Sequence, residues 1–140
     1  MLADAATEDA VFALLARFTK AVHARDAKAV QALFAEDADV CLFGSEGGEK
    51  AQGRQAIGQL FHWMTQQYVE LRWEWTWRQL SAAGDVAWLA AEAIIHATTK
   101  EERARVPYRL SAVFERRGER WWWMLYHGSE AVHIRAGGSA

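Results

Sequence analysis

From position 7 onward the apolar residues Val11, Leu14, Leu15, Phe18 and Val22 recur at intervals of three and four, which places them on one face of a helix. Thr7, followed by Glu8 and Asp9, offers an N-cap with acids in the first turn, so a first helix is predicted to run to about Ala24. Asp26 offers a cap for a second, shorter helix whose face is Val30, Leu33 and Phe34 and which ends near Glu36-Asp37. Asp39 to Phe43 reads as a short strand. Gly44-Ser45-Glu46-Gly47-Gly48 reads as a loop, because successive glycines lose too much backbone entropy inside a regular element. Gly53 precedes a third helix, roughly Arg54 to Tyr68, with Ile57, Leu60, Phe61 and Met64 on one face.

Beyond this helix the period changes to two. From Leu71 to Leu80, Trp73, Trp75 and Trp77 alternate with Arg72, Glu74, Thr76 and Arg78, which predicts a long half-buried strand with the three tryptophans on one face. Ala83-Gly84-Asp85 supplies a turn. The next strand, Val86 to Thr98, puts Ala87, Leu89, Ala91, Ala93 and Ile95 on one face and Trp88, Glu92 and His96 on the other. A charged connection leads through Pro107 into a strand from Tyr108 to Arg116, and Arg117-Gly118-Glu119 turns. Trp121 to Val132 then returns, with Trp121, Trp123, Leu125, His127 and Ser129 sharing a face. Helices grouped first and strands grouped last define an α+β class, with three helices packed on one face of a curved antiparallel sheet. No repeat, low-complexity tract or linker divides the chain, so residues 1–140 read as one domain with a core of about 7–132 and a loose tail at 136–140.

Composition narrows the function. At 140 residues and 51% hydrophobic content the chain can bury one sizeable core. A net charge of −2 with scattered basic residues gives no footprint for a phosphate backbone, so no nucleic-acid partner is expected. The single Cys41, between Val40 and Leu42, excludes an internal disulfide and a four-cysteine zinc site and reads as a small core residue. The acidic first ten residues lack the basic segment of a signal peptide, and no apolar run approaches bilayer length; a cytoplasmic protein with no membrane partner is expected. The histidines at 23, 62, 96, 127 and 133 show no compact ligand spacing, so neither a metal nor a cofactor is expected.

Six of the eight tryptophans fall in two groups, Trp73/Trp75/Trp77 and Trp121/Trp122/Trp123. The first stripe serves either to fill the core under the helices or to offer flat walls to a ligand. If it faces inward beside Ala91 and Ala93, large and small side chains surround a hollow suited to a small hydrophobic molecule. Glu92 and His96 share a strand face, and Glu74 and Arg109 can lie beside them on neighbouring strands. A carboxylate next to an imidazole supports proton transfer. The same stripe reads first as paired charges on an outer face or dimer interface, because structural ion pairs mimic active sites. His127 and Ser129 read as a hydrogen-bonded structural pair, as no nucleophile motif surrounds Ser129.

The run Arg117-Gly118-Glu119-Arg120-Trp121 followed by His127 and Ser129 resembles the ending of SnoaL-like proteins and of the kinase-association-domain branch of the nuclear transport factor 2-like superfamily. Asp26 followed by Leu33-Phe34-Ala35-Glu36-Asp37-Ala38, then Gly53-Arg54-Gln55-Ala56-Ile57, then Gly84-Asp85-Val86-Ala87, complete the resemblance in the family's order over about residues 7–132. The resemblance implies a cone-shaped, strongly bent sheet wrapped around three helices, a pocket between them, and homodimers formed through the sheet. It also implies pocket positions near Ala93 and Ala112, where the kinase-association branch carries basic residues. Small apolar side chains hold no anion there, so that role is not carried over. The ketosteroid-isomerase relatives need a base and hydrogen-bond donors, which no motif places in this chain.

Two functions follow. One is binding of, or cofactor-free acid/base action on, a small hydrophobic molecule in an interior pocket. Glu92 and His96 are then the acid/base candidates, and Trp73, Trp75, Trp77, Ala91, Ala93, Arg109, Trp123 and His127 the pocket candidates. The other is a non-catalytic assembly module whose pocket is filled by its own side chains.

Overall fold

A computed structural model describes residues 1–131; the expected end of the last strand at Val132, His133 and the tail at 136–140 lie outside the described residues. Helix α1 spans Ala5–His23, and its cap is Asp4 rather than Thr7. The Asp4 carboxylate accepts the Thr7 N–H at 2.8 Å, so Thr7 is already inside the first turn. Asp26 caps α2, Ala27–Gln31, through the Ala29 N–H at 3.0 Å. Helix α3, Arg54–Gln66, starts after Gly53, whose φ of +86° suits glycine, and stops two residues short of Tyr68.

The strands are β1 (Cys41–Phe43), β2 (Lys50–Gln52), β3 (Glu70–Ala83), β4 (Val86–Thr98), β5 (Arg103–Arg117) and β6 (Arg120–Glu130). They form one curved, unclosed sheet in the order β2-β1-β6-β5-β4-β3. Strands β3 to β6 are the expected antiparallel meander, yet the sheet is mixed, because β1 runs parallel to β6. β1 reaches β6 from the helical half of the chain and not through a hairpin, so no tight turn dictates its direction. β2 was not anticipated: three residues are too few to display an alternation, and β2 pairs back on β1 across the glycine loop.

Two bulges decide which side chains face the helices. In β3, Trp75 pairs with Ala93 and Trp77 with Glu92, leaving Thr76 unpaired. In β6, Leu125 pairs with Val113 and Trp123 with Phe114, leaving Met124 unpaired. One extra residue reverses the alternation beyond it. Trp77 therefore leaves the inner face of Trp73 and Trp75 and stands 47% exposed, which corrects the single-faced stripe. Likewise His127 and Ser129 do not share the face of Trp121 and Trp123; both are exposed, while Tyr126 and Gly128 turn inward.

The inner face buries Ala87, Leu89, Ala91, Ala93 and Ile95 of β4 in the hydrophobic core, as their alternation requires. Phe18 of α1 is the hub of the core, with its ring 5.2 Å from Trp123, 5.6 Å from Trp73 and 5.8 Å from both Phe61 and Tyr126. α2 leads into a segment joined to β6 by backbone bonds from Trp123 N to Leu33 O and from Ala35 N to Trp123 O, at 2.9 and 3.1 Å.

Candidate functional site

At one end of the sheet a half-enclosed cavity opens between α3, the 44–49 loop and the strands β3 to β6. The enclosed volume is about 80 Å³, room for several waters, and the cavity is open on one side, so a ring can seat in it with one end at the mouth. Its apolar wall comes from α3 (Leu60, Phe61, Met64) and from the strands (Leu71, Ile95, Ala97, Val106). Its polar groups include Tyr68, Trp73, Tyr108 and Tyr126 together with the Ser45 hydroxyl and the carboxylates of Glu46, Glu49 and Glu130.

Tyr126 reaches this cavity because the bulge at Met124 turns it, and not His127, inward. Its hydroxyl lies 2.5 Å from that of Tyr108 on the adjacent strand. Tyr108 fits only because residue 128 is glycine: a Cβ there would lie 1.6 Å from the Tyr108 hydroxyl oxygen and 2.3 Å from Cζ. Trp73 packs edge-on against Tyr108, with ring centres 5.8 Å apart. The Trp73 indole N–H is buried beside the Tyr126 hydroxyl and has no hydrogen-bond acceptor among the described residues. Burial pushes the hydroxyls of Tyr108 and Tyr126 well above the ordinary phenol range, so both are neutral at physiological pH. A neutral phenol pair can pass one O–H along the chain and present the other to an acceptor oxygen.

Glu49 is held by its own loop. Its carbonyl accepts the Gly44 N–H at 2.7 Å, its N–H donates to Glu46 O at 2.9 Å, and its carboxylate accepts the Glu46 N–H at 2.9 Å. The side chain folds across Gly44, where a Cβ would come within 2.6 Å of the Glu49 Cβ. Burial raises the Glu49 carboxyl above the usual range; the Glu46 N–H bond opposes this, and repulsion from Glu46 and Glu130 adds to it. Burial, then repulsion from Glu46, Glu49 and Glu130, also raises the Tyr68 phenol.

A carboxyl that binds its proton more tightly in the folded than in the unfolded chain contributes full stability below its unfolded value, and that contribution is lost as pH rises through the folded value. Glu49→Gln keeps an acceptor for the Glu46 N–H and removes the charge. The variant is therefore expected to gain stability relative to the parent at pH 7 and not at pH 4, measured by urea unfolding at both. An equal difference at the two pH values would show that the Glu49 charge is not under strain.

The structure does not gather the residues singled out from the sequence. Glu92 and His96 stand on the outer face, across the sheet from the cavity. Glu92 accepts from Arg109 at 3.2 Å, and His96 Nε2 lies 2.7 Å from Glu74 Oε1, a bond that lowers the Glu74 carboxyl. Of the tryptophan stripe only Trp73 lines the cavity; Trp75 donates its indole N–H to Thr19 Oγ1 at 2.8 Å. Ala91 and Ala93 are buried in the core away from the cavity lining, as is Trp123, whose indole N–H donates to Leu125 O at 2.8 Å. His127 faces outward against the Phe43 ring, 5.5 Å away. Tyr108, Tyr126, Tyr68 and Glu49 were missed. The last sits in a loop read only for its glycines, and Tyr126 was hidden by the assumption of an unbroken alternation. Among the described residues no three His, Cys, Asp or Glu side chains gather closely enough to hold a metal ion, and no helix is long and apolar enough to cross a membrane.

A family model described as a SnoaL-like domain matches residues 11–133. Among solved structures, one of unknown function from Mycobacterium tuberculosis superimposes with a TM-score of 0.83 at 15% identity, over 98% of this chain and 84% of that one. A nuclear transport factor 2-like protein of unknown function from Pseudomonas putida KT2440 gives 0.78 at 19% identity, over 98% and 95%. A protein from Xanthomonas campestris named for a calcium/calmodulin-dependent protein kinase II association domain gives 0.78 at 21% identity, over 89% and 87%. At these identities the structural likeness speaks for the fold alone. No curated protein matches the chain.

Proposed function

The chain belongs to the SnoaL-like domain family, and from that premise we propose that it binds a small hydrophobic carbonyl compound in the cavity described above and acts on it by acid/base chemistry without a cofactor. The observation that carries this reading is the meeting, in one apolar cavity, of a half-buried carboxyl with a raised proton affinity and a neutral tyrosine pair. Glu49 takes the proton from the carbon next to the carbonyl, and the electron pair moves onto the carbonyl oxygen. A tyrosine hydroxyl donates to that oxygen as its charge develops. In a compound with a carbon–carbon double bond one position further on, Glu49 returns the proton at the far end of that bond and gives the conjugated isomer. In a compound with a hydroxyl on the carbon β to the carbonyl, that hydroxyl departs with the proton as water and leaves the unsaturated carbonyl.

A screen of hydrophobic ketones, read by tryptophan fluorescence and by turnover, tests this. For any compound turned over, Glu49→Gln is expected to lower kcat by about 10²- to 10⁴-fold, the usual weight of a general base. Tyr126→Phe is expected to lower it by roughly 10²-fold, as loss of one donor to a developing oxyanion does. Turnover that survives Glu49→Gln would remove Glu49 from the chemistry.

A second reading concerns the opposite face of the sheet. Trp77 and Trp88 stand 47% and 42% exposed beside the Glu92–Arg109 pair. A patch of this kind suits a homodimer, two copies packing outer face to outer face with the ion pairs at the rim. Trp88→Asp is expected to weaken that dimer at least tenfold by sedimentation equilibrium; a parent that sediments as a monomer would dismiss the dimer.

A further inference from the structure

The cavity is one-sided in charge. Three of the residues that line it are carboxylates, Glu46, Glu49 and Glu130, and none is lysine, arginine or histidine. No salt bridge reaches any of the three among the described residues; Glu130 receives only a 3.4 Å bond from the Ser45 hydroxyl. What sets the cavity apart is that these three carboxylates line one space together with no cationic side chain in its wall, whereas on the outer face of the sheet Glu92 meets Arg109 and Glu74 meets His96. Their mutual repulsion contributes to the raised proton affinity of Glu49 and reaches the phenols of Tyr68, Tyr108 and Tyr126. A positive charge placed among them would relieve that repulsion.

Aromatic side chains supply the rest. Tyr68, Trp73, Tyr108 and Tyr126 all line the cavity, and the bodies of such residues hold an apolar skeleton while their polar tips offer donors. Independently, the Trp73 indole is 5% exposed and its N–H lacks an acceptor among the described residues, next to the Tyr126 hydroxyl. An unmet donor beside two phenols calls for an oxygen acceptor at the tyrosine end.

We propose that the ligand is an organic cation, a compact aromatic or alicyclic amine whose ammonium sits by the exposed carboxylates of Glu46 and Glu130, whose carbonyl oxygen meets the Tyr108–Tyr126–Trp73 donors, and which leaves Glu49 free for the carbon next to that carbonyl. This rests on the hydrophobic-carbonyl reading above and narrows it to a charged class. The carboxylates draw in the cation and turn away carboxylic acids of the same shape, so the cavity selects by charge before it selects by fit.

Three matched probes separate the possibilities: 4-(aminomethyl)acetophenone, 4-(hydroxymethyl)acetophenone and 4-acetylbenzoate share a ring and an acetyl group and differ in charge. Titrated calorimetrically at pH 7 and low salt, the amine is expected to bind about tenfold or more tightly than the neutral alcohol, with the carboxylate weakest. In the Glu46→Gln/Glu130→Gln variant, whose substituted side chains are exposed, the preference for the amine is expected to collapse to within about threefold, through loss of the screened charges. An alcohol that binds as well as the amine, or an amine preference that survives the double substitution, overturns the cationic class and leaves the hydrophobic-carbonyl reading standing. Failure of all three to produce heat or to change tryptophan fluorescence overturns both.

Discussion

Gly128→Ala is expected to cost about 2–3 kcal/mol of stability, the upper part of the range of roughly 1–3 kcal/mol for forcing an extra methyl into a packed interior. The new Cβ would fall 1.6 Å from the Tyr108 hydroxyl oxygen, and the second-nearest atom, Cζ, belongs to the ring itself, so rotating the hydroxyl gives no relief. Tyr108 is 4% exposed and is boxed in by Trp73 at its side and Tyr126 at its tip, so the ring must move as a unit and break the phenol pair. Urea unfolding measures the loss, and the same variant should lose the affinity for whatever carbonyl compound the parent binds. A cost under about 0.5 kcal/mol would place this change among ordinary surface substitutions and would mean that the Tyr108 ring has room the structure does not show.

Trp123→Ala carries the largest expected effect, about 3–5 kcal/mol, as for other large aromatics removed from a core. The side chain is fully buried, stacks on Phe34 at 5.2 Å and touches Phe18, Phe114 and Tyr126 at 5.2, 4.9 and 5.5 Å. Its backbone also holds the segment after α2. The experiment separates the two uses the sequence allows for its tryptophans. A core residue lowers stability with no ligand added, whereas a ligand wall would lower affinity and leave unfolding nearly unchanged. The first outcome is expected, and unfolding that matches the parent would return Trp123 to the cavity.

Helices α1 and α3 and the inner face of β4 were legible because each rests on a local period that nothing interrupts, and the four-strand meander because short turns separate long β-prone runs. Helix α2 ends at Gln31, short of the expected Glu36-Asp37, so Leu33 and Phe34 lie beyond it. Val11, Leu14, Leu15 and Phe18 mark α1 by spacing, and Ala87 through Ile95 alternate over nine residues without a break. The site was not legible, for three physical reasons. Glu49 is held by a loop whose bonds join residues three and five apart, a pattern with no hydrophobic signature. Tyr108 and Tyr126 meet across two strands, a juxtaposition set by register and not by spacing. Tyr126 and Trp77 each lie beyond a bulge, where the count of two fails. Glu92 and His96 drew notice as a polar pair on an outer face, and the structure gives each an ion-pair partner of its own.

Thr76 and Met124 act as phase shifts in a periodic signal. Each leaves the residues on its two sides in separate frames, so a comparison that aligns this chain with a relative without a gap at either point carries interior identities onto exterior positions for the rest of that strand. At sequence identities near 15–20% such slips go unnoticed, because the shifted strand still alternates. Assigning pocket residues between members of this fold is therefore a matter of matching bulges first and side chains second, and a relative lacking the Met124 insertion would present to its cavity the neighbour of the residue that alignment names.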